Sequence, residues 1–185
     1  MKIFEDKKLE RDKYRKLRNE SSLNQKENVE KNVSLYVDSF VKGNKSIAYI
    51  AIYWPLKNEV DIRSLKEKFT LALPRCKEKK ELLFYPWDER PLTKDSEGIL
   101  SPNNSFSLSH EQINLILVPC LSVDENLTRL GYGGGYFDKL RRDSNWRNIP
   151  CIGVLTSNCV STIPLTRAKW DIPLSGFITE KEIFV

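Results

Sequence analysis

The chain is poor in several residues on which protein chemistry often rests. Its 185 residues include a single histidine, His110. A Ser-His-Asp triad would therefore have one possible base, in a segment with no nucleophile motif, and His110 is read as structural or superficial. Four cysteines, Cys76, Cys120, Cys151 and Cys159, form no CxxC pair and show no metal-type spacing. Reduced, mostly buried thiols of a cytoplasmic protein are expected. Long apolar runs are missing too. "IAYIAIYW" and "INLILVPCL" are far too short to cross a bilayer, and "MKIFEDKKLERDKY" turns charged at once, without the apolar stretch of a signal peptide. No membrane partner is expected. Nor is there a block of one charge: the net charge is +5, and the cations of the first eighteen residues alternate with Glu5, Asp6, Glu10 and Asp12. That balance suits a small anionic ligand rather than nucleic acid. Glycine is the last scarcity. There are eight, and four of them fall within "RLGYGGGYFDKL" at residues 129–140.

What remains is the composition of a globular domain, 40% hydrophobic and 30% charged, long enough as residues 1–185 to form one domain with a real core. Residues 5–20 lack glycine and proline and read as a helix. A second, amphipathic helix is expected from about Asn24 to Val41, with Val29, Val33, Tyr36, Val37 and Phe40 at helical spacing, ending in "VKGNKS". Beyond it, "SIAYIAIYW", "TLALP", "ELLFYPW", "INLILVP", "PCIGVLT" and "SGFITE" read as strands. "DIRSLKEKF" and "GYFDKLRRD" read as helices, the latter opening from the glycine loop, and residues 88–112 show little periodicity. Alternating strands and helices predict an α/β domain: one three-layer unit, its mostly parallel sheet flanked by helices, with the N-terminal helices packed on it. In such sheets ligands bind beyond the carboxyl ends of the strands, where the glycine loop would lie.

The loop fits neither standard nucleotide motif. From Gly131, both the GxGxxG fingerprint and the GxxxxGK[ST] loop require glycine where Tyr136 stands. Its chemistry nonetheless favours an anion. Small residues leading into a helix aim several backbone amides at one place, Arg129 can offer a bidentate fork to phosphate oxygens, and Asp138 is better suited to magnesium than to phosphate. The residues suggest ATP and Mg2+.

"RLGYGGGYFDK" resembles the signature of the 5-formyltetrahydrofolate cyclo-ligase (methenyltetrahydrofolate synthetase) family: RLG, an aromatic or Met, a glycine-rich triplet, two aromatics, Asp and a basic residue. "KKLER", "IAIYWPLKNEVD", "LALP", "LLFYPW", "EGILSP", "VPCLSVDENLTRLG" and "WDIPLSGFITEKEIF" resemble further family segments in the family's order. The chain departs from the pattern at Glu10 (usually Leu), Ser101 (usually Glu), Leu127 (commonly Gly) and Asn158–Cys159 (a Gln is usual), and the spacing from Pro164 to Asp171 is two residues long.

The resemblance implies ATP-dependent cyclisation of 5-formyltetrahydrofolate to 5,10-methenyltetrahydrofolate, through a phosphorylated formyl group, with ATP as co-substrate and Mg2+ as cofactor. It implies a nucleotide site of Lys7, Arg11, Arg129, Leu130, Gly131, Tyr132, Gly133, Gly134, Gly135, Tyr136 and Phe137. Trp54 and Glu59 would contact the folate, which would also touch Tyr132, the three consecutive glycines and Tyr136. Asp138 and Asp171 would hold the metal, and Arg129, Tyr136 and Asp138 would be catalytic. A monomer is expected. Two other readings stay open here: a non-catalytic folate- or nucleotide-binding relative, and nucleic-acid binding by the basic N-terminal helix.

Overall fold

The computed structural model describes residues 2–44 and 46–185; Lys45, inside the expected helix break, lies outside the described residues. Two helices come first, α1 (Lys2–Glu20) and α2 (Leu23–Gly43). Ser22 starts α2 with a capping box: its hydroxyl accepts from the Gln25 amide while the Gln25 side chain accepts from the Ser22 amide. Val29, Val33 and Val37 repeat every fourth residue along α2 and are fully buried, the apolar stripe that the sequence predicts.

The strands and short helices follow in chain order: β1 (Tyr49–Ala51), β2 (Leu71–Lys77), β3 (Glu81–Pro86), β4 (Thr93–Lys94), β5 (Leu100–Ser101), β6 (Ile113–Pro119), β7 (Ser122–Asp124), β8 (Arg129–Leu130), α3 (Tyr136–Leu140), α4 (Ser144–Arg147), β9 (Cys151–Val154), β10 (Val160–Ser161), β11 (Gly176–Ile178) and β12 (Ile183–Phe184). The main sheet has the order β12-β11-β9-β6-β1-β2-β3. Its central pairs are parallel, and only the outer pairs β2–β3 and β11–β12 are antiparallel. The predicted α/β class and mostly parallel sheet are therefore observed.

Helices cover both faces. Val29, Val33 and Val37 of α2 pack with Ile50, Ile52, Leu71, Leu73, Leu115 and Leu117 on one face. On the other, Tyr14 of α1, Phe137 and Leu140 of α3 and Trp146 of α4 pack around Ala51, Phe84, Ile116 and Val118. Alternate residues of β6 feed the two clusters, as the two-residue period of a strand demands.

Local readings needed correction. The long apolar run at 46–54 supplies only three ladder residues, because Pro55 and the turn at Asn58 (φ 70) end the pairing. Of "DIRSLKEKF" only Arg63–Glu67 is helical, as a 3-10 turn. The helix expected over 135–143 stops at Leu140, and α4 begins separately with the Asp143 side chain capping Asn145. The 88–112 stretch contains the β4–β5 hairpin, too short for its periodicity to be legible.

A small second sheet, β10-β7-β8, presents the glycine loop. Asp124 organises its turn: one carboxylate oxygen accepts from the Asn126 and Thr128 amides and the other from the Leu165 amide. Leu127, where the family commonly has glycine, adopts φ 59. A left-handed leucine costs on the order of 1–2 kcal/mol, offset here by packing against the core and by the Leu174 amide donating to the Leu127 carbonyl.

Candidate active site

Beyond the carboxyl ends of β1 and β6 lies a cleft of about 580 Å3. The glycine loop forms one wall and one face of α1 another; the segment after β1, residues 168–171, and parts of β2, β3 and the β4–β5 hairpin also line it. All the residues singled out in the sequence line it, from Lys7 and Arg11 through Trp54 and Glu59 to the run 129–138 and Asp171.

Helical spacing brings Lys7, Glu10, Arg11, Tyr14 and Arg18 to the face of α1 that meets the cleft and the core. Lys7 pairs with Asp171, whose Oδ2 also accepts from the Ala168 amide at 2.7 Å. Arg11 Nε donates to the Gly131 carbonyl at 3.0 Å, tying α1 to the loop. Arg18 Nη1 donates to the Tyr132 hydroxyl at 2.7 Å.

Arg129 differs from its expected role as an open fork. Its side chain is 9% exposed; Nη1 donates to the Pro119 carbonyl at 3.4 Å and Nη2 to Asp138 Oδ1 at 3.2 Å. Burial opposes its charge, but Asp138 and the thiols of Cys120 and Cys151 outweigh that and raise its pKa. It is a fixed cation beneath the loop. Gly131 permits this: a Cβ there would stand 3.1 Å from Arg129 Nη2. Gly133 (φ 102) and Gly135 (φ 75) occupy left-handed backbone that glycine adopts freely. Gly135 is the N-cap of α3, which is only five residues long. The dipole of so short a helix is weak, so the positive potential comes from side chains, among them Arg11, Arg129 and Arg142.

The aromatics divide. Trp54 meets Trp87 edge-on and carries Arg63 over its ring at 4.5 Å. Tyr136 donates to Glu97 at 2.5 Å, which pushes its hydroxyl up to about 12, and so bridges the loop to the β4–β5 hairpin. Phe137 packs on the core under Arg129. Glu59 is buried: Oε2 accepts from the Leu56 amide at 2.6 Å, and Oε1 has no hydrogen-bond partner.

Among the described residues no three His, Cys, Asp or Glu side chains gather as a metal site. Mg2+ does not require one, since one or two carboxylates with phosphates and water suffice. Asp138 and Asp171 each engage one oxygen with protein donors and line the cleft, so the donor set fits a magnesium ion shared with phosphate.

Sequence reasoning missed Arg18, hidden in a mixed-charge helix, and Arg141, buried at 6% with Nη1 donating to the Ile172 carbonyl. Burial, then the nearby Arg129, lower the Arg141 pKa. It also missed that departures from the family pattern touch other segments. Glu10 accepts from the amide and hydroxyl of Thr166, inside the lengthened stretch between Pro164 and Asp171. Asn158 donates to the Leu17 carbonyl and accepts from Ser21 and Thr156. Ser101 accepts from Arg75.

A parallel α/β sheet with a glycine-walled cleft beyond its strands, edged by paired cations and carboxylates, is the framework of an enzyme for an anionic substrate. The comparisons make this specific. The 5-formyltetrahydrofolate cyclo-ligase family matches residues 3–180, and the chain belongs to that family. It is 26% identical over 175 residues to a 5-formyltetrahydrofolate cyclo-ligase of Haemophilus influenzae, covering 89% of this chain and 92% of the relative. A Mycoplasma pneumoniae protein of the same name is 24% identical over 157 residues, covering 85% and 88%. The solved 5,10-methenyltetrahydrofolate synthetase of Aquifex aeolicus superposes with a TM-score of 0.74 at 28% identity, covering 96% of this chain and 91% of that one. The synthetase structure from Mycoplasma pneumoniae shares the fold, with a TM-score of 0.71 at 23% identity, covering 95% and 99%.

Proposed function

We propose that the chain converts 5-formyltetrahydrofolate to 5,10-methenyltetrahydrofolate, with ATP consumed to ADP and phosphate and Mg2+ required. One observation carries this reading: residues from four separated stretches, each assigned to the site by the family resemblance, line a single cleft. The formyl oxygen attacks the γ-phosphorus, ADP leaves, and the formyl carbon gains a phosphate leaving group. The neighbouring folate nitrogen bonds to that carbon and loses its proton, and phosphate departs with the former formyl oxygen.

Phosphoryl transfer asks mainly for positioning and charge neutralisation. In this reading the amides of Gly133, Gly134 and Gly135 face the phosphates, with Lys7 and Arg11 above them. Leu130 and Gly131 fix the loop's base, and Phe137 its far end. Arg129 acts from below by charge and by holding Asp138. Asp138 and Asp171 would hold the Mg2+, which would supply charge neutralisation to the phosphates. Trp54 offers an apolar wall to the folate, and Glu59 an acceptor. Tyr132 and Tyr136 stand between the two substrates. A monomeric cytoplasmic protein is part of the same reading; among the described residues no helix is long and apolar enough to cross a membrane.

The test is direct. Purified protein mixed with Mg-ATP and 5-formyltetrahydrofolate develops the absorbance of the methenyl product, and omission of ATP or addition of chelator stops it. Folate binding without product under any nucleotide would refute the proposal and favour a non-catalytic relative.

A further inference from the structure

Arg18 shares a face of α1 with Lys7 and Arg11 but does not line the cleft; it has no part in the scheme above, yet it is coupled to two cleft residues. Its Nη1 donates to the Tyr132 hydroxyl at 2.7 Å, its guanidinium lies over the Tyr132 ring at 5.3 Å, and Nη1 stands 3.9 Å from Glu59 Oε1. The side chains of Arg18 and Glu59 are 15% and 3% exposed. We propose that Arg18 is a positioning residue that keeps Glu59 a carboxylate and fixes the Tyr132 hydroxyl as a donor, so that the pair reads the hydrogen-bonding edge of the substrate. This rests on the folate reading of the cleft.

Three observations support it. Glu59 Oε1 and Arg18 Nε are both buried without a hydrogen-bond partner, although orphaned buried polar atoms are uncommon. Glu59 lines the cleft on one side and, on the other, a small pocket of about 10 Å3 shared with Arg18, Val60, Pro119, Cys120 and Leu155. That volume admits at most about one water, so little solvent reaches the carboxylate from behind. Finally, a hydroxyl that accepts from Arg18 has its own hydrogen free for Glu59 or for a ligand acceptor.

The groups facing Glu59 are Arg18 from α1, Tyr132 from the glycine loop, the Leu56 amide, Tyr53 after β1 and Cys120 after β6. Among the described residues Arg18 is the one cation that bears on it. Burial pushes the Glu59 carboxyl up, while Tyr132, the Leu56 amide and Arg18 pull it back. A neutral Glu59 would turn one acceptor oxygen into a donor and mismatch a substrate N–H.

The decisive measurement needs no turnover. In ligand-free protein carrying δ-13C glutamate, the Glu59 carboxyl resonance is assigned by its absence in Glu59→Gln and titrated by NMR. Arg18→Met raises its midpoint by about one pH unit, as loss of a close opposite charge should, and Arg18→Lys restores most of it. Arg18→Gln serves equally should the Met variant fail to fold. An unchanged midpoint overturns the proposal.

A kinetic arm then tests the link to substrate. Arg18→Met raises KM for 5-formyltetrahydrofolate about tenfold while kcat stays within about threefold. The penalty grows as pH falls and shrinks in a Glu59→Gln background, where only the Tyr132 contact remains to be lost. A penalty undiminished in that background also overturns the proposal. Absence of cyclisation by the unaltered protein would refute the functional reading instead, and the NMR midpoint would still decide the role of Arg18.

Discussion

The two faces of the main sheet are closed by different means. On one, α2 lays Val29, Val33 and Val37 onto aliphatic strand residues, and its polar ties among the described residues are few: Gln25 to Glu180, Asn32 to the Thr179 carbonyl and Ser64 to Glu30. On the other, α1 shares only Tyr14 and part of Leu17 with the core and is otherwise held by polar anchors: Lys7 to Asp171, Glu10 to Thr166, Arg11 to Gly131 and Arg18 to Tyr132. Apolar contact is non-directional and stabilises by area. Charge-assisted hydrogen bonds contribute less net stability but fix direction. One helix therefore supports the sheet, whereas the other aims groups into a cleft.

If that division is right, substitutions on the two faces separate activity from stability. The largest effect is expected at Arg129. Arg129→Met should lower kcat/KM for cyclisation about 10²–10³-fold, the magnitude typical of a preorganised charge-stabilising donor, with little change in Tm because its partner Asp138 is partly exposed. Steady-state kinetics and a thermal melt check both parts. A variant that unfolds while keeping its specific activity would break the comparison.

Next comes the opposite behaviour. Leu73→Ala removes a fully buried side chain from the α2 face and should cost about 3 kcal/mol, read by urea denaturation, without altering turnover per folded molecule. A matching fall in kcat would mean that the faces are coupled. Gly131→Ala is smaller and sharper. A Cβ 3.1 Å from the Arg129 guanidinium should displace it by a few tenths of an ångström and lower kcat/KM about tenfold, and the same substitution in an Arg129→Met background should cost far less.

The smallest effect concerns pH. Burial raises the Glu59 carboxyl above its unfolded value, so between the two values the folded state holds more protons and stability falls as pH rises. Glu59→Gln removes that fall. Its Tm relative to the parent protein should climb as pH rises above the ordinary carboxylate range and then level off; a constant difference would place Glu59 in an ordinary, solvated environment.

Much of this was legible in the residues. The valine stripe of α2 has a helical period, the short apolar run of β6 has the length and the Pro119 terminator of a buried strand, and both are where expected. The glycine loop stood out because a glycine-poor chain concentrates half its glycines there. The mixed charges of α1 were not legible in the same way. The family resemblance picked out Lys7 and Arg11, but Arg18 carries the same charge as Lys8 and Lys16, and only its contact with Tyr132 separates it from them. Nor could spacing show that Arg129 turns inward to Asp138, or that Glu10 and the lengthened stretch before Asp171 meet through Thr166.

The order of residues was enough to set the α/β class, the helical period of α2, the family and the glycine loop, because periodicity and backbone preference are local properties of the chain. Which cation is buried, which carboxylate is paired and which polar atom lacks a partner depend on neighbours more than a hundred positions apart, as with Arg18 and Tyr132. Burial and charge act through distance in space, and folding alone sets that distance.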